Sequence, residues 1–198
     1  FTDYRSVATR WALPFYLTAR GDQTAVRYTR YDFRNTIVAQ TLGLGYNSAV
    51  LQSDGDDQLV HLGPGFASLY CEGYNLVKIR YYAKLAGLEV AGTRENRNLF
   101  YGNETNAEML CFEIASASYT KGFSRIAYTD MIGNTAESLV KSNGGLSLIE
   151  RCLVAENAAM DGAFELNKPS QAVTPMLKVR DSTFFDMAAG ENIAHFRS

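Results

Sequence analysis

The hydrophobic and polar positions of the chain fall into segments separated by glycine, proline and short polar runs. Several segments have apolar residues spaced three to four positions apart and glycine after their ends, which predicts helices. No two strand-like runs are joined by a hairpin signal. The pattern predicts an all-α fold of several helices joined by long loops. The predicted helices cover about 2–17, 22–42, 66–88, 104–131, 134–143 and 146–164.

The largest break in this pattern is the polar stretch 52–65, which is rich in turn-forming residues. Asp54, Asp56 and Asp57 surround Gly55 there, as acidic residues do in calcium loops. The spacing differs from that of a calcium loop, and no glutamate stands at the twelfth position. We therefore interpret the stretch as a solvated loop that ends in a turn at 63–65.

A weak two-fold internal repeat is suggested by two similar segments, 28–34 and 119–125, each with aromatic and basic residues. Each is followed by a glycine-containing turn and then by a segment with a cysteine. The predicted organisation is a single domain over 1–198, with repeat halves at about 20–90 and 104–165. Cys71 and Cys152 would then occupy equivalent positions.

Composition excludes several classes of protein. The 198 residues carry a formal net charge of −2, which does not suit a nucleic-acid partner. No run approaches 18 consecutive apolar residues, so we expect no membrane insertion by a helix. Twelve Tyr and 11 Phe make the chain aromatic-rich, and aromatic side chains supply large buried areas in cores and interfaces.

The three cysteines, Cys71, Cys111 and Cys152, cannot all pair within one chain. None belongs to a Cys-x-x-Cys pair, and the only histidines are His61 and His195, so the four-ligand pattern of a structural zinc site is missing. Glycine-rich phosphate-binding loops and the Gly-x-Ser-x-Gly motif are also absent. Because either histidine could in principle activate a cysteine, a cysteine-dependent enzyme stays open, but we expect a protein that is not an enzyme.

Basic, aromatic and acidic residues follow Cys71 and Cys111 along the chain. A linear tetrapyrrole needs such a set: a thiol for the covalent bond, cations for its propionates and a carboxylate for its pyrrole nitrogens. Cysteines buried in the core, with the cations in water, are the simpler alternative. The candidate chromophore contacts are Tyr74, Lys78, Arg80, Lys121, Arg125 and Asp130.

Lone cysteines on separate segments, each beside basic or aromatic residues, occur at 70–74, 110–113 and 151–153. In this pattern, over roughly 20–165, the chain resembles the gamma subunits of red-algal phycoerythrin. Gamma subunits are usually basic, whereas this chain is slightly acidic, although Arg20, Arg27, Arg30 and Arg34 cluster locally.

The resemblance implies a light-harvesting linker of the phycobilisome, on the stromal face of the thylakoid membrane in the chloroplast. It implies phycourobilin or phycoerythrobilin attached through thioether bonds at Cys71, Cys111 and Cys152. It also implies phycoerythrin alpha and beta subunits as partners surrounding the chain. The alternatives left open are a pigment-free helical interaction or scaffold protein and a cysteine-dependent transferase or lyase.

Overall fold

The computed structural model describes residues 5–7, 15–19, 29–40, 49–55, 58–81, 86–114, 122–143, 146–167, 176–189 and 194–197. Every regular element in these ranges is a β-strand, and every strand pair is parallel. The predicted all-α fold is therefore wrong. Each range predicted as a helix contains strands wherever it is described, and the stretch predicted as a loop at 52–65 contains a strand at Gln58–Leu62.

The strands follow one another around a coil, and each complete turn of the coil visits three sheets. Two strands precede the first complete coil, β1 (Arg5–Val7) and β2 (Phe15–Ala19). Coils 1 to 3 contain β3 (Thr29–Phe33), β4 (Ile37–Ala39), β5 (Ala49–Gly55); β6 (Gln58–Leu62), β7 (Ala67–Leu69), β8 (Glu72–Gly73), β9 (Asn75–Tyr81); and β10 (Ala86–Ala91), β11 (Asn98–Tyr101), β12 (Glu104–Thr105), β13 (Leu110–Ile114). Coils 4 to 6 contain β14 (Gly122–Ala127), β15 (Thr129–Ile132), β16 (Thr135–Asn143); β17 (Leu146–Glu150), β18 (Leu153–Ala155), β19 (Ala158–Asn167); and β20 (Met176–Arg180), β21 (Thr183–Phe185), β22 (Ala188–Ala189), β23 (Ala194–Arg197).

Three parallel sheets form the sides of this coil. Sheet 1 has seven strands in the order β1-β4-β7-β11-β15-β18-β21, and sheet 2 has six in the order β20-β17-β14-β10-β6-β3. The remaining ten strands form sheet 3. Within a coil the chain passes from sheet 2 to sheet 1 and then to sheet 3. This arrangement is a parallel β-helix, in which each coil stacks on the next and none buries its apolar side chains alone.

Stacked inward-facing side chains form the core. In sheet 2, Phe33, Leu62, Val90, Ile126 and Ile149 lie in register on consecutive coils, and all are buried. Equivalent buried stacks lie in sheet 1 and sheet 3. They are Val38, Ser68, Phe100, Met131 and Val154 in sheet 1, and Leu51, Val77, Leu110, Val140 and Phe164 in sheet 3.

In coils 4, 5 and 6 the first corner, between sheets 2 and 1, turns on one residue with positive φ. That residue is Tyr128, Arg151 or Asp181. The next residue there is small, and its hydroxyl or thiol donates to the carbonyl two positions earlier. The donors are Thr129, Cys152 and Ser182, at 2.9, 3.2 and 2.8 Å from their acceptors.

An asparagine ladder holds the second corner, between sheets 1 and 3. Asn103, Asn134 and Asn157 are fully buried, and the Nδ2 of each of the first two donates to the Oδ1 of the next, at 2.8 and 2.9 Å. The same oxygens accept the backbone N–H of the preceding asparagine. Each Nδ2 also donates to a sheet 1 carbonyl of the preceding coil. The ladder therefore satisfies buried polar groups that the corner takes out of the sheets.

Gly102, the residue before Asn103, shows why glycine recurs in the sequence at the second corner. Its φ is +60°, and a Cβ placed there would lie 2.7 Å from the ring of Tyr70. Glycine is required both by the backbone conformation and by the ring packed over it. Gly133, in the turn predicted at 131–134, occupies the same position one coil later.

The missing hairpin signals have a simple cause. A parallel coil turns through single left-handed residues and the irregular stretches between sheets, so it needs no hairpin. In short strands such as β4, β7, β11 and β15, buried and exposed residues alternate over only a few positions. Over so few positions, apolar residues also fit the spacing of a helix, which is why the sequence pattern predicts helices. The repeating unit is one coil, and Cys71 lies at the second corner while Cys152 lies at the first, so the two cysteines are not equivalent.

Candidate functional site

Cys71 extends the asparagine ladder by one coil. Its backbone N–H donates to Asn103 Oδ1 at 3.0 Å, and its Sγ–H donates to the carbonyl oxygen of Val38 at 3.5 Å. The side chain is fully buried. Cys71 therefore occupies the place that asparagine takes in the next three coils.

Cys152 occupies the small-residue position of the first corner. Its Sγ–H lies 3.2 Å from the carbonyl oxygen of Glu150 and 3.5 Å from that of Ile126. Burial raises the pKa of this thiol to about 11. At neutral pH it is a protonated core group rather than a nucleophile.

Cys111 is fully buried on β13, in register with Lys78 on one neighbouring strand and with Lys141 on the other. Neither lysine was predicted beside Cys111: Lys78 was a candidate contact because it follows Cys71 in the sequence, and Lys141 was not among the candidates. Attachment of a bilin at any of the three cysteines stays a prediction. Burial of all three thiols weighs against it, because a pigment needs an accessible thiolate and space beside it.

The predicted chromophore contacts do not gather in one place. The Nζ of Lys78 lies 6.0 Å from the ring centre of Tyr74, whereas Arg125 lies in sheet 2 and Asp130 in sheet 1. Arg80 lies in β9 in register with Glu113. Lys121 lies outside the described residues.

The outer face of sheet 2 carries a row of charges. His61 Nδ1 lies 3.0 Å from Asp32 Oδ1, and Arg125 bridges Glu89 and Glu150 at 2.8 and 2.6 Å. Burial alone would raise the pKa of Asp32, but the hydrogen bond and charge of neighbouring Arg34, with His61, lower it. Both arginines of the row, Arg34 and Arg125, are thus paired with carboxylates on the same sheet.

The outer face of sheet 1 has the opposite character. From β4 to β21, two columns of residues lie on the outer side of the sheet, one on each side of the buried central column, and all of them except the buried Ala155 are at least partly exposed. One column is Ile37, Ala67, Leu99, Asp130, Leu153 and Thr183, and the other is Ala39, Leu69, Tyr101, Ile132, Ala155 and Phe185. Ten of these twelve residues are apolar or aromatic. Parallel sheets are normally covered on both faces, so an apolar face that the described residues leave partly exposed indicates a binding surface.

Aromatic residues project from this face and its edge. Tyr101 and Phe185 are 39% and 61% exposed, and Tyr70 at the second corner is 55% exposed. The rings of Tyr70 and Tyr101 meet edge to face, with centroids 5.3 Å apart. A hydrogen bond with the Tyr101 hydroxyl raises the pKa of Tyr70. The two rings hold each other in a fixed orientation at the surface.

The single charged side chain in the two columns is neutralised. Arg97 donates through Nε and Nη2 to Asp130, at 3.0 and 2.5 Å, and Nη2 also reaches the carbonyl oxygen of Arg151. This paired geometry lowers the cost of covering Asp130 with apolar groups.

Sheet 3 carries a cluster of carboxyl groups around Lys141. The Nζ of Lys141 bonds to Glu108 Oε1 and lies 3.7 Å from Glu165 Oε1. Burial alone would raise the pKa of Glu108, but the hydrogen bond from Lys141 lowers it. Burial, followed by the nearby charges of Glu108 and Asp161, raises the pKa of Glu137. Neighbouring carboxyl groups with opposite shifts are characteristic of binding sites as well as of catalytic ones.

The described part of the chain contains no group of three or more His, Cys, Asp or Glu residues arranged to hold a metal ion. It also contains no helix with the length and apolar character needed to cross a membrane.

Comparison with protein-family models, with curated proteins and with solved structures gave no match. Function is therefore inferred from the geometry of these surfaces.

Proposed function

We propose that this chain is an interaction module that associates with a second copy of itself through the apolar outer face of sheet 1. The observation that carries the proposal is the pair of outward columns, in which ten of twelve positions are apolar or aromatic. The only charge in the columns, on Asp130, is already neutralised by Arg97. Such a face suits an apolar, neutral partner.

The order of side chains along the face favours a second copy as that partner. A two-fold axis parallel to the strands places coil 1 of one copy over coil 6 of its partner and keeps each column over its own counterpart. Large residues then face small ones: Phe185 faces Ala39, and Leu69 faces Ala155. In the other column, Leu153 faces Ala67.

The size of the face suits a small interface. Six strands at about 4.8 Å spacing, with the residues at both corners, give a face of about 29 Å by about 17 Å, or roughly 490 Å². This is smaller than the roughly 800 Å² that each partner buries in a standard interface, so we expect a reversible dimer rather than an obligate one. Sheets packed face to face lie about 10 Å apart, which leaves room for one interdigitated layer of side chains.

Sedimentation of the purified chain over a range of concentrations tests the proposal. We expect a reversible dimer, weakened at least about 100-fold by Leu69→Asp, because an unpaired carboxylate would be buried against the partner's Ala155. The control is Leu148→Asp, which makes the same change on the outer face of sheet 2 and should leave dimerisation unchanged. Far-UV circular dichroism checks that both variants keep the fold.

A second substitution tests the register. Adding Ala155→Lys to Leu69→Asp places opposite charges across the two-fold axis, while the two residues stay three coils apart within one chain. Recovery of the dimer would support the proposed pairing. A folded chain that stays monomeric up to several hundred micromolar, or a dimer insensitive to Leu69→Asp, would overturn the proposal.

A further inference from the structure

Tyr70 occupies an unusual place in the second corner. In each of the six coils this corner turns on one residue with a left-handed φ, and Tyr70, at +52°, is the aromatic one among them. The others are Gln40, Gly102, Gly133, Glu156 and Asp186. A left-handed backbone is strained for a bulky side chain, and residues held in this conformation are concentrated at functional sites. A tyrosine at this position therefore calls for a reason beyond the turn itself.

Two neighbours on the next coil fix the ring of Tyr70. The backbone N–H of Tyr70 donates to the carbonyl oxygen of Tyr101 at 2.9 Å, which holds the two tyrosines side by side on coils 2 and 3. The ring lies over Gly102, where a Cβ would meet it at 2.7 Å, so glycine leaves the space that the ring occupies. The rings of Tyr70 and Tyr101 consequently meet with centroids 5.3 Å apart and planes at 83°.

This pair differs in chemistry and exposure from two other ring pairs of the fold. Phe66 with Phe100 and Phe164 with Phe184 lack hydroxyl groups and belong to the core or pack against it. Tyr70 and Tyr101 are phenols, and they are 55% and 39% exposed. Their hydroxyl groups share a hydrogen bond, so the ring carbons beside the hydroxyls lie near the contact. An oxidant in solvent therefore has access to two phenols that already touch.

We propose that Tyr70 and Tyr101 form a site of oxidative cross-linking, at which a haem peroxidase with hydrogen peroxide joins the two rings as dityrosine. Each phenol gives up one electron and one proton, and the two phenoxyl radicals pair to form one carbon–carbon bond between ring carbons ortho to the hydroxyls. The hydrogens on these two carbons then move to the oxygens, which restores both phenols. The two electrons and two protons reduce one hydrogen peroxide to two molecules of water.

The geometry favours coupling within one chain over coupling between chains. Linked rings have centroids slightly closer than 5.3 Å, so small rotations of two exposed side chains are sufficient. Reacting groups held side by side react far faster than the same groups free in solution. The bond fastens coil 2 to coil 3 covalently, as a disulfide between them would.

Treatment of the full chain with a haem peroxidase and hydrogen peroxide, followed by peptide mass spectrometry, tests this proposal. We expect the peptides that contain Tyr70 and Tyr101 to be joined, with a mass two hydrogens below their sum and the fluorescence of dityrosine. Because both rings belong to one chain, the yield should stay the same when the chain is diluted about tenfold. In urea, where the twelve tyrosines of the chain compete, this pair should lose its preference.

Two variants separate this site from general oxidation of tyrosines. Tyr70→Phe keeps the ring but removes the phenol, and it should abolish the link to Tyr101. Tyr128→Phe is the matched control, because Tyr128 also has a left-handed φ at a corner but lies against Arg151, with the guanidinium carbon 5.2 Å from its ring centre. We expect Tyr128→Phe to leave the link between Tyr70 and Tyr101 unchanged.

Three results would overturn the proposal. They are links that form mainly between chains, a Tyr70–Tyr101 link no more frequent than other tyrosine pairs in the folded chain, and equal loss of the link in Tyr70→Phe and Tyr128→Phe. The reaction is run on dilute, monomeric chain, so its outcome is independent of the dimer proposed above.

Discussion

The outer faces of sheets 1 and 2 are built on the same backbone but carry opposite chemistry. Both consist of parallel strands stacked coil on coil, and both bury their inward columns completely. Sheet 2 turns His61, Glu89 and Arg125 outward, whereas sheet 1 turns Leu69, Tyr101 and Ile132 outward.

The difference separates what the fold requires from what it leaves free. The inward columns must be apolar or internally satisfied, because each coil is stable only when stacked on its neighbours. The outward columns are free of that requirement. Charged groups that pair within the sheet, as Arg125 does with Glu89 and Glu150, need no partner from outside to satisfy their hydrogen bonds. An apolar column on a parallel sheet gains free energy only when it is covered.

We expect the largest loss of stability from a substitution in the asparagine ladder, because the second corner orients the coils that carry both outer faces. Asn134→Ala deprives the buried N–H of Asn103 and the carbonyl oxygen of Phe100 of their partners. We expect a loss of about 3–5 kcal/mol of unfolding free energy, because several buried polar groups become unsatisfied at once. Urea denaturation measures it. Asn106→Ala, at an exposed position in coil 3, should cost less than about 0.5 kcal/mol, and equal losses would contradict a role for the ladder.

The corner thiols allow a second test, which also bears on pigment attachment. With its pKa raised to about 11, Cys152 has a thiolate fraction at pH 8 roughly 100-fold or more below that of an ordinary cysteine. We expect its alkylation by iodoacetamide, followed by peptide mass spectrometry, to be slower by at least that factor than in urea. Rapid labelling of the folded chain would show that the thiol is accessible.

A visible absorption spectrum of the protein, purified from its natural source, would test the bilin prediction directly. Visible absorbance retained in acidic urea would establish a covalent pigment. A colourless chain would remove that prediction and leave the interaction module.

Some turns and corners of the fold could be predicted from the sequence. The turn predicted at 63–65 is present, whereas in the turn predicted at 131–134 only Gly133 and Asn134 form the corner, since Met131 and Ile132 belong to β15. Glycine and asparagine favour such turns in either fold. The pairs Gly102-Asn103 and Gly133-Asn134 are the clearest signal of a repeating corner. A third corner uses Glu156-Asn157, and variable stretches between sheets change the coil length, so no fixed period is visible.

The candidate sites depend on register, which the sequence alone does not supply. Glu108 and Lys141 are 33 positions apart, and Lys78, Cys111 and Lys141 become neighbours only after three coils stack. The apolar columns of sheet 1 take one or two residues from each short strand. Each strand alone looks like part of an ordinary core, and only their alignment makes a surface.

Two arginine substitutions sharpen the comparison between the faces. Arg97→Ala removes the cation that pairs with Asp130 on sheet 1, and Arg125→Ala removes the cation that Glu89 and Glu150 share on sheet 2. Each should cost about 1 kcal/mol of unfolding free energy, since the pairs are partly exposed, and high salt should reduce the loss. Only Arg97→Ala should also weaken the dimer, because the freed Asp130 then faces the partner's Leu99. Equal effects on sedimentation would argue against the apolar face as the interface.

The smallest expected effect concerns Glu137, on the sheet that belongs to neither face. The pKa of Glu137 is raised in the folded state, so the ionised carboxylate lowers the free energy of unfolding above that pKa. This loss of stability disappears as pH falls below about 4.5, where Glu137 is protonated in both the folded and the unfolded chain. Glu137→Gln should therefore raise the free energy of unfolding at pH 7, by less than about 1 kcal/mol because the group is partly exposed. Thermal unfolding measured over a range of pH should show this gain vanish at low pH. Glu108 has the opposite sign: its lowered pKa gives stability above about pH 4.5 that is lost as pH falls further. A gain from Glu137→Gln that persists at pH 4 would mean that packing, rather than charge, is responsible.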